Sequence, residues 1–529
     1  MRGIFMRSAC LCLVIVLVVV GCHLLPSVRP GEVPFSQMEY VRPDVGDMDG
    51  KVEHCLELAE GGTTPEDLME AVYDFYGDYS GYYTSYFLAY INYSIDTSDI
   101  YWSDEYDYCA QQGPVVDAAF DRLMYALADC PLREALEAEE YFGEGYFDAY
   151  DGEDIWTDAY KALAQQETEL IERYYEISAQ ANGEDPSSEA YHQTYGAQLA
   201  QVYVELIQVR QQMAREAGYE DLQTYAYEYI YGRDFTPEEA EVYLEEIRRE
   251  LVPLYEGLDT SGIWEEGLRA CSTQETFDYV ERTAQAMGGD IQEAFETMDR
   301  LGLYHIEYGE NKLDTSFEVF LPDYLQPFVF VDPNGSNMDM LTFAHEFGHF
   351  CNDYVSVGTA AGIDVAEVFS QGMEYLSLSY GDAPQEMVAM KMADSLCVYV
   401  EQAAYAAFEL AVYDLEGEDL TVENVEETFY QVGMAYGFDS WGFDGRMYVG
   451  IPHFFTDPGY VISYVVSNDA AMQLYQLEQE ETGAGLERFQ ESLDTQQSTL
   501  LAYLEEAGLE SPFAPGRIGK VRQTFEASL

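Results

Sequence analysis

The sequence predicts a mainly α-helical protein with one small β-sheet. Apolar residues recur every three to four positions in segments such as 67–90, 115–128 and 157–181, which is the period of a helix that buries one face. Between residues 303 and 332 the pattern changes to short runs rich in aromatic and β-branched residues. The chain has 529 residues, of which 48% are hydrophobic, so it can form one large domain or two to three ordinary ones.

Acidic residues dominate the charge of the chain. It contains 99 Asp and Glu against 24 Lys and Arg, which gives a net charge of -75. Such a surface repels nucleic acid and anionic lipid head groups, so we expect no nucleic-acid partner. A solvated surface suited to a salty or acidic medium explains the acidity more simply than a specific basic partner does.

The chain begins with a targeting segment. An apolar run of 11 residues at 10–20 is too short to span a bilayer. The run leads into Val-Val-Gly-Cys, ending at Cys22, which resembles the lipobox of bacterial lipoproteins. This resemblance implies a signal peptide at 1–21, a lipid on Cys22 as the only membrane anchor, a tether at 22–45 and a place outside a bacterial membrane. The alternative is an ordinary secretory signal and a secreted protein.

The later cysteines have no predicted partners. They are Cys55, Cys109, Cys130, Cys271, Cys351 and Cys397. Outside the cytoplasm disulfides are allowed, but six cysteines permit many pairings and the sequence selects none of them. Some of the six could equally be buried thiols.

We place a boundary between two helical lobes near residue 235. The first lobe covers 46–235, where strand patterns are scarce. The second covers 236–529 and opens with Thr-Pro-Glu-Glu at 236–239, the signature of a capped helix start. Ser-Thr-Gln-Glu at 272–275 gives the same signal.

Three short runs predict a small sheet immediately before the helix at 338–354 in the chain. They cover 303–309, 316–322 and 327–332. Pro-Asn-Gly at 333–335 then turns the chain into a helix at 338–354. An edge strand of the sheet could pair with an extended peptide, or the sheet could only brace the helix.

The helix at 338–354 carries a metal-binding pattern. His345 and His349 lie one turn apart on one face, because side chains repeat every 3.6 residues. A tetrahedral Zn²⁺ can take both imidazoles, with Glu346 beside it as a general base. Asn352 shares the histidine face. An apolar stripe on the opposite face consists of Met340, Phe343, Phe347, Phe350 and Tyr354.

A catalytic zinc needs a third protein ligand and an open position for water. Glu367, 18 residues after His349, is the candidate, and Gln371 and Glu374 follow it at i+4 and i+7 on the same helix face. Those two side chains could orient the histidines. The alternative is that Glu367 is an ordinary solvated glutamate of a very acidic chain.

Residues 342–350, Thr-Phe-Ala-His-Glu-Phe-Gly-His-Phe, followed by Glu-Val-Phe-Ser-Gln at 367–371, resemble the M3 family of zinc metallopeptidases. That family includes oligoendopeptidase F and thimet oligopeptidase. Residues 451–455 and 460–464 resemble its downstream histidine segment and its tyrosines. The resemblance is sharp over about 300–470, whereas before residue 210 it rests on helical character alone.

The resemblance implies a gluzincin fold of two helical lobes around a deep channel, with the small sheet beside the histidine helix. The implied activity is hydrolysis of internal bonds in short peptides. The implied site residues are His345, His349 and Glu367 for one Zn²⁺, Glu346 as general base, His453 and Tyr464 as oxyanion donors, and Tyr460 and Tyr448 as substrate-binding groups.

The sequence departs from the family pattern in three ways, none of which removes a metal ligand. Asn352 stands where many members carry a further histidine. The stretch from His349 to Glu367 is several residues shorter than in most members. The spacing from His453 to the tyrosines is one residue longer than in oligoendopeptidase F, which leaves the role of each tyrosine open.

Two other functions fit the sequence less well. A dipeptidyl carboxypeptidase of a neighbouring class with the same histidine motif would release dipeptides from C-termini. A non-catalytic peptide-binding lipoprotein would keep the fold without turnover. The sequence predicts neither the cleavage preference nor the oligomeric state.

Overall fold

The computed structural model describes residues 30–138, 141–143, 145–150, 155, 157–181, 188–358, 361–438 and 442–529. The predicted signal peptide, the lipidation site Cys22 and the first part of the tether lie outside these residues. In the described part of the chain, no helix combines the length and the apolar character needed to cross a membrane.

The chain forms two compact units, each built from stretches that are distant in sequence. The first comprises the described part of Met1–Asp154 together with Ala270–Ala360 and Leu493–Gln496. The second comprises Ile155–Arg269, Ala361–Ser492 and Gln497–Leu529. The predicted lobes at 46–235 and 236–529 remain a prediction.

The first unit combines long helices with the sheet. Numbered in chain order, its helices are α1 (Met48–Gly61), α2 (Pro65–Ile95), α3 (Ile100–Ala128), α4 (Arg133–Leu136), α12 (Thr273–Met287), α13 (Gly289–Leu301) and α14 (Asp339–Ser356). Helices α2 and α3 pack together through stacked aromatic rings, for example Tyr79 on Phe120 with ring centres 4.8 Å apart. Such pairs add to the stabilisation from buried area.

The sheet has three strands in the order β1-β3-β2. They are β1 (Tyr304–His305), β2 (Phe317–Leu321) and β3 (Gln326–Phe330). Strand β1 runs parallel to β3, and β2 runs antiparallel to it with Phe317 opposite Phe330. Both β2 and β3 are buried along their whole length and contact α14. The predicted sheet beside the histidine helix is therefore confirmed, as is the mainly helical fold.

The second unit is helical in its described residues. Its helices are α5 (Asp158–Gln180), α6 (Glu189–Tyr191), α7 (Ala197–Glu216), α8 (Leu222–Thr224), α9 (Pro237–Glu250), α10 (Val252–Gly257), α11 (Thr260–Gly267), α15 (Ile363–Tyr380), α16 (Gln385–Tyr413), α17 (Val422–Ala435), α18 (Pro452–Thr456), α19 (Ile462–Glu480), α20 (Ala484–Ser492), α21 (Leu500–Ala507) and α22 (Arg517–Ser528). Helix α15 packs along α19, and the long helix α16 contacts α9, α11, α17 and α19.

Both predicted capping boxes are present. The Thr236 hydroxyl accepts a hydrogen bond from the Glu239 N–H (3.2 Å), and the Glu239 carboxylate accepts one from the Thr236 N–H (2.9 Å). Ser272 and Glu275 make the same reciprocal pair. Helices α9 and α12 therefore begin at the residues that the local sequence predicts, because a cap involves only neighbouring groups.

The six later cysteines are free thiols, and five of them are buried. Burial raises the pKa of the Cys351 thiol well above its ordinary value. The structure thus agrees with the interpretation of some of these residues as buried thiols, and it contains no disulfide bond among the six.

Candidate active site

Helix α14, which carries both histidines, starts from a turn held by its own first residue. The Asp339 carboxylate accepts hydrogen bonds from the N–H groups of Asn334 (3.0 Å) and Gly335 (2.8 Å). Gly335 has a φ of 85°, a left-handed conformation that glycine adopts without a steric penalty. The Pro-Asn-Gly turn therefore fixes the point at which α14 begins.

The phenylalanines of α14 pack inside the first unit, as predicted. Phe343, Phe347 and Phe350 are fully buried, and the Phe347 ring lies 5.6 Å from that of Phe295 on α13. The histidine face is also largely buried. There Asn352 donates its side-chain N–H to the carbonyl of Leu493 at 2.9 Å, so this residue has a structural role in the place of the family's additional histidine.

His345 and His349 lie on one face of α14, as their spacing predicts. Their ring centres are 5.2 Å apart. Burial, together with the neighbouring His345 imidazole, holds the pKa of His349 well below its ordinary value of 6.5. His349 is therefore neutral at pH 7, which is the form that binds a metal. The Glu346 side chain, between the two, is buried as well.

Glu367 lies on α15 and is completely buried, with 0% exposure. The Ser370 hydroxyl donates to its carboxylate at 2.8 Å. One turn earlier, Asp364 pairs with the buried Arg233 at 3.0 Å, and its backbone carbonyl accepts a hydrogen bond from Ser467 of α19 at 2.8 Å. The interpretation of Glu367 as a solvated surface glutamate is therefore wrong.

The side chains of His345, His349 and Glu367 form a group that could hold a metal ion. Their ligand atoms all lie within 4.8 Å of one another. Two imidazoles and one carboxylate are the donor set of a catalytic zinc that keeps one position open. The residues present therefore fit the predicted cofactor, although they do not identify the metal.

The two polar residues that follow Glu367 on α15 have different surroundings. Glu374 accepts a charge-assisted hydrogen bond from the buried Lys391 of α16 at 2.6 Å. Gln371 is buried, and its side-chain oxygen has no hydrogen-bond partner among the described residues. The Glu374 contact ties α15 to α16.

His453, Tyr460 and Tyr464 come together in the second unit. The Tyr464 hydroxyl lies 3.5 Å from Nε2 of His453. The Tyr460 ring stacks on the His453 ring with centres 4.9 Å apart and an angle of 20° between the planes. The sequence left the roles of the two tyrosines open, and the structure gives them different contacts with His453.

Asp457 belongs to this cluster, and sequence reasoning missed it. Its carboxylate lies 3.1 Å from Nδ1 of His453 and also accepts a hydrogen bond from the Thr456 hydroxyl. A carboxylate on Nδ1 fixes the ring orientation and directs Nε2 toward Tyr464. The i+4 spacing between His453 and Asp457 is the signal that could have revealed it.

Tyr448 does not lie in this cluster. It is fully buried in an aromatic core, with its ring 5.3 Å from that of Tyr203 and 5.9 Å from those of Phe408 and Phe429. A side chain in this position cannot reach substrate without repacking the core. The structure therefore does not support the prediction that Tyr448 binds substrate.

A scan against family models matches one segment of the chain. Residues 35–153 match the model described as the peptidase M3 N-terminal domain. This match lies in the part of the chain where the sequence-based resemblance rested on helical character alone. Among curated proteins, none matches the chain.

Solved structures match almost the whole chain. PZ peptidase A with an inhibitor matches with a TM-score of 0.80 and 17% identity, over 93% of this chain and 99% of its own. A protein provisionally described as oligoendopeptidase F matches with a TM-score of 0.78 and 20% identity, over 94% and 98%. Another of the same description, from Bacillus anthracis str. Ames, matches with a TM-score of 0.74 and 19% identity, over 94% and 98%.

The site and the fold first indicate a class of protein, a helical metallopeptidase whose two histidines come from one helix and whose glutamate comes from the next. The family-model match and the shared fold then confirm the resemblance to M3 metallopeptidases. Together they support a metallopeptidase that acts on peptides.

Proposed function

We propose that the protein is a zinc-dependent endopeptidase that hydrolyses internal bonds of short peptides. The proposal rests on the group formed by His345, His349 and Glu367, with Glu346 buried next to the first histidine. Zinc, when bound, would lower the pKa of a coordinated water to about 7 and polarise the scissile carbonyl.

Glu346 is the proposed general base. It follows His345 directly in the sequence, and its side chain is buried. It would accept a proton from the attacking water and deliver that proton to the leaving amine.

His453 and Tyr464 are the proposed donors to the developing oxyanion. Their functional atoms, Nε2 and the phenolic oxygen, are 3.5 Å apart and so converge on one small region. Asp457 orients the His453 ring from its other nitrogen, and Nε2 donates to the oxyanion in the form of the ring that carries a proton on both nitrogens. Donors fixed before the reaction stabilise charge that appears only in the transition state. Tyr460, stacked on His453, is the proposed contact for the substrate backbone.

Metal analysis combined with peptide cleavage tests the proposal. Purified zinc-replete protein is incubated with a diverse library of peptides of about 5–15 residues, before and after chelation. We expect cleavage that chelation abolishes and zinc restores, with about one zinc per chain. The proposal is refuted if the zinc-loaded protein cleaves no member of the library.

Product mapping separates the proposed activity from its alternatives. Cuts at internal positions, also in peptides with blocked C-termini, support an endopeptidase. Dipeptides released only from free C-termini indicate a carboxypeptidase. Peptide binding without turnover indicates a non-catalytic binding protein.

A lipid on Cys22 and a location outside a bacterial membrane are part of the proposal. The Val-Val-Gly-Cys sequence supports them. In a bacterial host, a Cys22→Ser variant should lose incorporation of labelled fatty acid and leave the membrane fraction. Unchanged labelling would contradict lipidation at this residue.

A further inference from the structure

The backbone of Gly459 is held from two sides by buried charged side chains, one on its N–H and one on its carbonyl. Its N–H donates to the Glu409 carboxylate at 2.8 Å, and its carbonyl accepts from Arg233 at 2.8 Å. Gly459 immediately precedes Tyr460 and has a φ of 79°. Its positive φ favours glycine, and an added Cβ would also crowd the Cβ of Ala226 at 3.2 Å.

Arg233 connects this loop to two helices. Its other nitrogens donate to Asp364 at 3.0 Å and to the Ser463 hydroxyl at 2.9 Å. The rings of Tyr227 and Tyr231 lie 4.6 and 4.5 Å from its guanidinium carbon. The charge is thus compensated by an ion pair and by aromatic faces. Asp364 stands one turn before Glu367, and Ser463 directly precedes Tyr464.

Glu409 holds the N–H side of Gly459. It lies near the end of α16 with 2% exposure, and the same carboxylate oxygen that accepts from Gly459 also accepts from the Tyr413 hydroxyl at 2.7 Å. Burial raises the pKa of Glu409 to about 7. A buried carboxylate costs free energy unless its hydrogen bonds are made. This favours the backbone geometry in which the Gly459 N–H points at the Glu409 carboxylate.

We infer that Glu409 and Arg233 are positioning residues that clamp the backbone of Gly459 and thereby fix Tyr460 and Tyr464 around His453. The clamp needs both partners, because Glu409 holds the peptide unit before the Gly459 Cα and Arg233 holds the one after it. Its catalytic consequence rests on the proposed function, whereas the clamp itself is a property of the fold.

A double-mutant cycle tests the inference. Glu409→Ala should lower kcat about 10–100-fold with little change in KM and an unchanged metal content. In a Tyr464→Phe background the same change should lower kcat by less than about threefold, because the side chain that the clamp positions has already lost its hydroxyl. An equal loss in both backgrounds, or no loss in either, overturns the inference.

Two further variants separate the hydrogen bond to Gly459 from other effects. Glu409→Gln keeps an acceptor oxygen and should retain kcat within about threefold. Tyr413→Phe, the matched control, removes the other donor to the same oxygen and should leave kcat unchanged. A Gln variant as slow as the Ala variant would contradict a role based on hydrogen bonding.

Hydrogen exchange gives a readout that does not depend on turnover. Glu409→Ala should accelerate amide exchange in peptides that cover 456–464, and Tyr413→Phe should not. If the wild type cleaves no peptide, the proposed function fails, but hydrogen exchange still tests whether Glu409 holds the segment. If Glu409→Ala yields no folded protein, Ser463→Ala, which removes one acceptor of Arg233, should give the same local acceleration. Unchanged exchange overturns the inference.

Discussion

Helix α14 and the segment 452–464 carry the two halves of the proposed chemistry, and they are held in place differently. On α14 the spacing of His345 and His349 follows from the helical repeat, and the helix start is held by Asp339 within the same stretch of chain. The segment 452–464 comprises the short helix α18, a loop and the first residues of α19. Buried side chains from α7, α16 and the loop before α9 hold it. A short sequence motif can therefore reveal the first half, whereas the second depends on distant parts of the chain.

The largest expected effect tests the chemistry of α14. Glu346→Gln should lower kcat by about 10²- to 10⁴-fold while metal content stays unchanged, because the amide keeps the shape of the side chain but cannot take a proton. Steady-state cleavage of a fluorogenic peptide and elemental analysis measure the two quantities. Retained turnover with full metal content would refute the role of Glu346 as base.

The next effect tests how 452–464 is held. Arg210 of α7 is buried, and it donates to the carbonyls of Phe454 (3.1 Å) and Phe455 (2.5 Å) and to Glu167 (2.6 Å). Arg210→Met leaves these carbonyls without a donor and should reduce the free energy of unfolding by about 2–5 kcal/mol, measured by denaturant titration.

Arg248→Met is the control for this comparison. Arg248 pairs with Glu245 on the exposed face of α9, where a salt bridge contributes below about 1 kcal/mol. Equal destabilisation by Arg210→Met and Arg248→Met would show that the buried arginine does not hold the segment.

A smaller effect sharpens the roles of the two tyrosines. Tyr464→Phe removes the hydroxyl that lies 3.5 Å from His453 and should lower kcat about 10²- to 10³-fold with little change in KM. Tyr475→Phe, on the same helix α19, is the matched control and should keep kcat near that of the wild type. If Tyr464→Phe changes KM alone, the hydroxyl binds substrate and does not act on the transition state.

The smallest effect concerns the pH dependence of stability. Because the pKa of Glu409 is raised from 4.5 to about 7, the folded state holds this proton more tightly than the unfolded state. The contribution of Glu409 is therefore most favourable below about pH 4.5 and declines as the pH rises toward 7, by on the order of 2–3 kcal/mol. His453 and Arg233 face this carboxylate and favour its charged form.

Comparison with Glu409→Gln isolates this contribution. The variant lacks the titrating group, so its denaturation midpoint should fall less than that of the wild type between about pH 4.5 and pH 7. Parallel pH profiles for the two proteins would contradict the raised pKa.

Sequence reasoning succeeded where the physical cause is local. The capping pairs Thr236 with Glu239 and Ser272 with Glu275 are made by groups three residues apart, so their pattern is visible in the sequence. The sheet was visible because its strands change the hydrophobic period. Glu367 was identified only through the family resemblance, since spacing alone could not distinguish it from the many other acids.

Sequence reasoning failed where the burial of a side chain determines its role. Tyr448 resembles a site tyrosine in the sequence, yet it lies in an aromatic core. Glu409 gave one signal, an acid within an apolar stretch of α16, but nothing in the sequence connects it to Gly459, 50 residues later. Arg233 is 226 residues from the same glycine.

The sequence by itself determined the helical character, the helix starts, the small sheet and the one-turn spacing of His345 and His349. Each of these depends on backbone hydrogen bonds and side-chain directions that repeat within about four residues. Only the tertiary structure decided that Glu367 is buried and that two charged side chains meet at Gly459. Desolvation and long-range hydrogen bonds depend on which helices pack together, and local patterns do not record that.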